Sequence, residues 1–199
     1  MARPQLASDE ELLDVARSAF IEHGPGVSTA LIAERAGVSQ ATLFKRFGTK
    51  DELMLAALLP PEIPRWMSLL DVGPTEADLQ EQLREVMLAA SVFFEEMLPC
   101  MTILRARGRG HFEDLQRYEV PPPVRGQRAV AAWLRRARAQ GRIRDVNVDA
   151  VAVAFMGSMH ARAFVQHLTG SRGLGGATPD YVDAIVDLIW RGIAPEDAE

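Results

Sequence analysis

The chain of 199 residues has one cysteine, two tyrosines and four histidines. It has no uninterrupted apolar run of the ~18 residues that a bilayer span needs. Each scarcity excludes something. A single thiol, Cys100, cannot form an intrachain disulfide, and its apolar neighbours mark it as a buried structural thiol that fits a reducing compartment. The histidines, His23, His111, His160 and His167, are scattered, and no matched carboxylate cluster accompanies them, so a metal site is not expected. There is no G-x-S-x-G, no phosphate-binding G-x-x-x-x-G-K-[ST], no G-x-G-x-x-G and no H-E-x-x-H. Glu95 and Glu96 are adjacent and diverge on a helix. No enzyme, no cofactor and no membrane partner are expected. MARPQLASDEELL contains no apolar signal segment, so a cytoplasmic protein is expected.

A formal net charge of −5 argues against a uniform nucleic-acid coat. The distribution says more. Arg35, Lys45, Arg46 and Lys50 fall within residues 35–50 with no acid among them. Residues 61–99 are acidic, 100–144 are rich in arginine, and 145–199 are acidic again. A small basic face on an acidic body suits a site that touches phosphates locally.

Helical periodicity dominates and strand alternation is weak. Ser8 with Glu11 forms a capping-box pattern before Leu12, Leu13, Ala16, Phe20 and Ile21, and HGPG at 23–26 ends that helix. Ser28 caps a short helix carrying Leu31, Ile32 and Ala36, which Gly37 stops. A third helix is expected over Gln40 to Phe47, and Thr49 with Glu52 opens a fourth. Pro60, Pro61 and Pro64 then mark a junction. Longer helices are expected over about 76–97, where Pro99 interrupts, and over about 100–115, 124–139, 148–169 and 180–191. YEVPPPV at 118–124 reads as a linker and SRGLGGATP at 171–179 as a loop. The expected fold class is all-α with about nine helices. A group of short helices is expected over residues 1–57 and a larger helical body over residues 58–199.

The most specific stretch is GVSQATLFKRFGTKDEL, residues 37–53. Gly37 sits where the chain must reverse between two short helices and a positive φ is easy only for glycine. Ser39 caps the helix that follows. Leu43 and Phe47, four apart, face inward with Val38, leaving Gln40, Ala41, Phe44 and Lys45 outside or at the margin. A helix with short side chains first and cations later can enter a major groove.

IAERAGVSQATLFKRFGTKDEL resembles the signature of the tetracycline-repressor family of bacterial regulators. Ile32, Ala33, Ala36, Gly37, Val38, Ser39, Thr42, Leu43, Phe44, Phe47, Thr49, Lys50 and Leu53 carry the match, which is close over about residues 10–56. The resemblance implies that residues 1–57 form a three-helix helix-turn-helix head and that the chain is a transcriptional regulator, most often a repressor. It would bind a palindromic operator in double-stranded DNA as a homodimer and leave it when a small molecule binds the body. An activator or dual regulator of the same fold, or a head used for protein contacts, are the alternatives. Gln40 and Lys45 are the candidates for base edges. Ser39, Thr42, Arg46 and Lys50 are candidates for phosphates, with Ser28, Thr29, Ala41 and Phe44 completing the surface. Phe44 stands where the family usually has tyrosine, Arg46 where histidine or tyrosine is common, and Leu31 where an acid or glutamine is common.

For the body, the resemblance implies an effector pocket and dimerisation through the last two helices. A largely apolar effector would meet Met87, Phe93, Phe94, Met97, Met101, Leu104, Phe155, Met156, Met159 and His160, an adaptable lining that would equally serve as bundle core. Arg105, Arg107 and Arg109 raise an anionic effector, although their spacing spreads them around a helix. Arg135, Arg136 and Arg138 suit a solvated face or salt bridges to the acidic 61–99 region. Gly157 permits close helix approach, and Val182, Ile185, Val186 and Ile189 form an apolar stripe, so these five are the candidates for dimerisation.

Overall fold

The computed structural model describes residues 8–61, 63–106, 118–170, 176 and 178–195. Among them are nine α-helices and no strand: α1 (Asp9–His23), α2 (Thr29–Arg35), α3 (Gln40–Phe47), α4 (Lys50–Leu58), α5 (Arg65–Asp71), α6 (Leu79–Ala106), α7 (Pro122–Ala139), α8 (Val148–Thr169) and α9 (Thr178–Ile193). The chain divides into two compact units. One is Met1–Pro60 with Pro99–Asp114, and the other is Pro61–Leu98 with Leu115–Glu199.

In the first unit the capping boxes form as expected. The Ser8 hydroxyl accepts from the Glu11 N–H and the Glu11 carboxylate from the Ser8 N–H; Thr49 and Glu52 repeat the pattern. These satisfy amide donors that the first helical turn leaves unpaired. Helix α1 packs on α4, and α2 and α3 close the head. Leu12, Ala16, Ala19 and Phe20 of α1 meet a core completed by Ile32, Ala33, Leu43, Leu53, Met54, Ala57 and Leu58. Ile21, expected inside, is 44% exposed, and Ala19 takes the inward position. The Arg17 guanidinium donates to the Ala57 carbonyl at 2.8 Å, tying α1 to the end of α4.

In the second unit α7 packs on α8 and on α5, and α8 packs on α9. Leu79, Leu83, Val86, Met87 and Ala90 of α6 enter the same core, around the fully buried Trp133 and Phe155. Helix α6 crosses to α9 through Arg84 to Asp183 at 2.6 Å and Gln80 to Asp187 at 2.6 Å.

Three expectations need correction. Pro99 does not interrupt: α6 runs through it to Ala106. An internal proline costs about 3 kcal/mol, and burial of Met97, Cys100, Ile103 and Leu104 around it opposes that cost. The remainder of the helix expected to 115 lies outside the described residues. Helix α7 begins at Pro122, inside the expected linker, because a proline at the first helical positions has its φ preset and needs no amide donor. Helix α5 was not expected at all, being short and set among prolines; Trp66 and Leu70, one turn apart, bury its inner face.

The arginines of α7 also find other partners than expected. Arg135 pairs with Asp149 and Arg138 with Asp145, each at 3.0 Å, rather than with carboxylates of 61–99. Arg136 donates to the Leu70 and Asp71 carbonyls at the end of α5. Helices α6 and α8 are long and apolar enough by composition to cross a membrane. That apolar character follows from the core faces they contribute to the bundle.

Gly37 has φ +64, and a Cβ built there would meet open space. Gly37→Ala should therefore destabilise by about 1 kcal/mol through backbone strain alone, and Gly37→Asn by less, in urea unfolding followed by circular dichroism.

Candidate nucleic-acid interface

The reversal between α2 and α3 is built from backbone bonds. The Gly37 N–H donates to Glu34 O at 3.1 Å and the Val38 N–H to Ala33 O at 3.0 Å, which ends α2. Ser39 then caps α3, its hydroxyl accepting from the Thr42 N–H at 3.1 Å and lying 2.9 Å from the Thr42 hydroxyl. Ser28 caps α2 through the Leu31 N–H at 3.2 Å; with leucine there, no side chain returns the bond. Leu43 is 1% exposed and anchors α3, whereas Phe47 and Val38 are half-buried.

Ser28, Ser39, Gln40, Ala41, Phe44 and Lys45 are exposed, while Thr29, Thr42, Arg46 and Lys50 are half-buried. Phe44 shows 43% of its surface, a large apolar ring on an otherwise polar helix face. Lys45 and Lys50 have no carboxylate partner among the described residues. Lys50 is the first residue of α4, where a cation opposes the helix dipole.

Two contacts had no signal in the sequence. Arg35 is held by Glu22 at 2.5 Å and lies 3.0 Å from His23 Nε2. Its hydrogen bond holds the Glu22 carboxyl below the usual range, and Glu22 raises the Arg35 guanidinium in turn. Arg35 therefore belongs to an ion pair between α1 and α2 and is not a spare cation. The other contact is Gln40 Nε2 donating to Thr29 Oγ1 at 2.9 Å. These partners are more than ten residues apart, so no local pattern reveals them. Arg46 pairs with Asp9 at 3.3 Å.

The candidate effector residues separate into groups. Met87, Phe155, Met156 and Met159 are buried in one cluster, with Phe93 and Phe94 packed against it. Met97, Met101 and Leu104 lie further along α6, outside that cluster, with Met101 and Leu104 in the first unit. His160 is exposed; its ring meets Phe94 edge-on at 5.7 Å and stacks on Phe164 at 6.5 Å. A groove of about 270 Å³, lined by Asp78, Gln80, Glu81, Arg84, Asp183, Val186 and Asp187, includes none of the candidate effector residues. Arg105 is exposed, and Arg107 and Arg109 lie outside the described residues.

The stripe on α9 is placed differently from expectation. Val182 and Val186 are 0% and 2% exposed within the single chain, so they have no surface to offer another copy. Ile185 and Ile189 are half-buried against the same core. The reason is geometric: α8 and α6 already cover that side of α9. On the last two helices the large apolar side chains left open are Val153, Phe164, Val165 and Leu168 of α8, with Gly157 among them, and Leu188 of α9; Val72 and Val92 are open elsewhere.

Residues 12–57 match the family of bacterial regulatory proteins, tetR family. The chain resembles the solved structure of a TetR-family transcriptional regulator from Mesorhizobium loti. The identity is 20%, the match covers 94% of this chain and 96% of that one, and the TM-score is 0.72. It resembles SmeT, the repressor of the Stenotrophomonas maltophilia multidrug efflux pump SmeDEF, at 19% identity, 96% and 92% coverage and a TM-score of 0.64. PfmR, a TetR-family regulator from Thermus thermophilus, is 25% identical, with 92% and 98% coverage and a TM-score of 0.59.

The cap at the start of α4 supplies a pH test. The Thr49 N–H, and then its hydroxyl, hold the Glu52 carboxyl below its ordinary value. Stability from this bond is present above the unfolded-state value and is lost as pH falls through the lowered folded-state value. In an NMR pH titration Glu52 should titrate below an ordinary glutamate, and Thr49→Ala should raise it part of the way back.

Proposed function

We propose that this chain is a transcriptional regulator of the tetR family, which its head matches and its fold resembles, and that it acts as a repressor. It binds a palindromic operator as a homodimer and leaves it when a small, largely apolar molecule binds the body. The observation that carries the reading is the outer face of α3. Gln40, Ala41, Phe44 and Lys45 are exposed on one short helix, free of acids and anchored from behind by Leu43. A helix presented in this way fits a major groove, with Gln40 and Lys45 toward base edges and Ser39, Thr42 and Lys50 toward phosphates. Phe44 has no hydroxyl for a phosphate and offers a ring for sugar or a thymine methyl. Arg46 would exchange Asp9 for a phosphate.

A single α3 reads only a few base pairs, so two copies related by a two-fold axis are needed for a specific site. The open apolar positions Val153, Gly157, Phe164 and Leu168 recur along one side of α8, with Leu188 on the neighbouring α9. That surface is the one we assign to the dimer, with Ile185 and Ile189 at its margin. The effector would be taken where Met87, Phe155, Met156 and Met159 meet, beside Phe93 and Phe94. Flexible thioethers there can repack around a guest. A guest that favours one arrangement of the body lowers DNA affinity by that preference. The protein would work in the cytoplasm, where its DNA is.

Selection from random duplexes should yield a palindrome; recovery of no sequence preference would overturn the reading. Gln40→Ala should lower affinity for the selected site about 10-fold. Lys45→Ala should weaken binding and make its salt dependence shallower. Leu188→Glu brings like charges together across the two-fold axis and should sediment as a monomer at micromolar concentration while keeping its helical content.

A further inference from the structure

The hydrogen bond from Gln40 Nε2 to Thr29 Oγ1, at 2.9 Å, joins the first residue of α2 to the first residue of α3. A glutamine amide has two N–H donors and a carbonyl acceptor. Thr29 takes one donor. What remains for a base is one N–H and the carbonyl oxygen, held in one orientation by the anchor. In the major groove adenine presents an acceptor, N7, beside a donor, the N6 amino group. Guanine presents only acceptors, O6 and N7. An amide that has kept both N–H groups can turn them toward guanine. An anchored one has a single donor left, and its oxygen meets another acceptor. The Thr29 hydroxyl, having accepted from Gln40, still has its own proton to donate. Thr29 is half-buried at the start of α2, where a phosphate would lie if α3 occupies the groove.

We propose that Thr29 is a specificity-determining residue. By fixing the Gln40 amide it makes that side chain select adenine over guanine at one position of each half-site. The proposal rests on the DNA-reading function of α3, which it deepens. Thr29 positions Gln40 and does not itself read a base.

The test is the same selection from random duplexes, run on the full-length protein, Thr29→Val, Thr29→Ser, Gln40→Ala and the double variant Thr29→Val/Gln40→Ala. Valine keeps the branched shape and removes the hydroxyl; serine keeps the hydroxyl. The full-length protein should prefer adenine over guanine about 10-fold at one position per half-site. Thr29→Val should bring that preference close to even at the position that Gln40→Ala also flattens, with the other positions unchanged. Thr29→Ser should retain the preference. The double variant should match Gln40→Ala. A uniform loss across all sequences in Thr29→Val would make Thr29 a phosphate contact only and overturn the proposal. So would flattening at a different position from Gln40→Ala, or an unchanged profile. In each of these cases the wild-type palindrome would leave the function reading intact. A wild-type protein that selects no sequence would end both.

Discussion

The head depends on one backbone constraint, the reversal at Gly37. Positive φ there turns the chain directly after α2, and the Gly37 and Val38 amides satisfy carbonyls that the end of that helix leaves free. The next residue, Ser39, begins α3 through its hydroxyl. With so few residues between the two helices, their relative placement is nearly fixed. That placement puts Leu43 into the core, leaves Gln40 and Lys45 in solvent, and brings Thr29 within reach of Gln40. A side chain on α3 could be changed without altering the turn. The turn could not be changed without moving every side chain on α3.

The body is held on a different principle. Its arginines end mostly on backbone carbonyls and local carboxylates. Arg136 meets the carbonyls at the end of α5, Arg142 those of Thr75 and Ala77, and Arg144 that of Gly192 near the end of α9. Leu70, Asp71 and Gly192 lie in the last turns of their helices, where carbonyls are unpaired and the partial charge is negative, so a cation is favourable there; Arg142 instead meets carbonyls of the loop ahead of α6. Arg105, Arg107 and Arg109 raised an anionic effector; of these Arg105 lies within the described residues, and it is exposed. Further along, Arg136 and Arg144 secure the ends of α5 and α9, and Arg135 and Arg138 pair with Asp149 and Asp145.

Much of the fold was legible because its signals are local. The capping boxes at Ser8 and Thr49, the apolar spacing of α1 and α6, and the turn at Gly37 each need only a few neighbouring residues to be recognised. The errors came where a local rule met a tertiary one. Pro99 ordinarily ends a helix, yet buried Cys100, Ile103 and Leu104 carry α6 past it. The stripe Val182–Ile189 was correctly apolar, but periodicity does not say which neighbour covers it. In the structure the same chain covers Val182 and Val186. Likewise, methionine and phenylalanine mark an apolar interior without distinguishing a pocket lining from ordinary packing, and Met87 and Phe155 are packed in the core.

What the sequence alone determined is the head: its helices, its turn, and which side chains of α3 face outward. Helix periodicity, caps and a left-handed glycine are properties of adjacent residues, and the resemblance to a regulator family rests on the same residues. What only the tertiary structure decided is the partner of each polar group across the chain. Arg35 is bound by Glu22, Gln40 by Thr29, and on the last two helices the apolar side chains left open are Val153, Phe164, Leu168 and Leu188 rather than Val182 and Val186. Such pairings join residues of different helices. They follow from packing, which brings together groups that the order of the chain keeps apart.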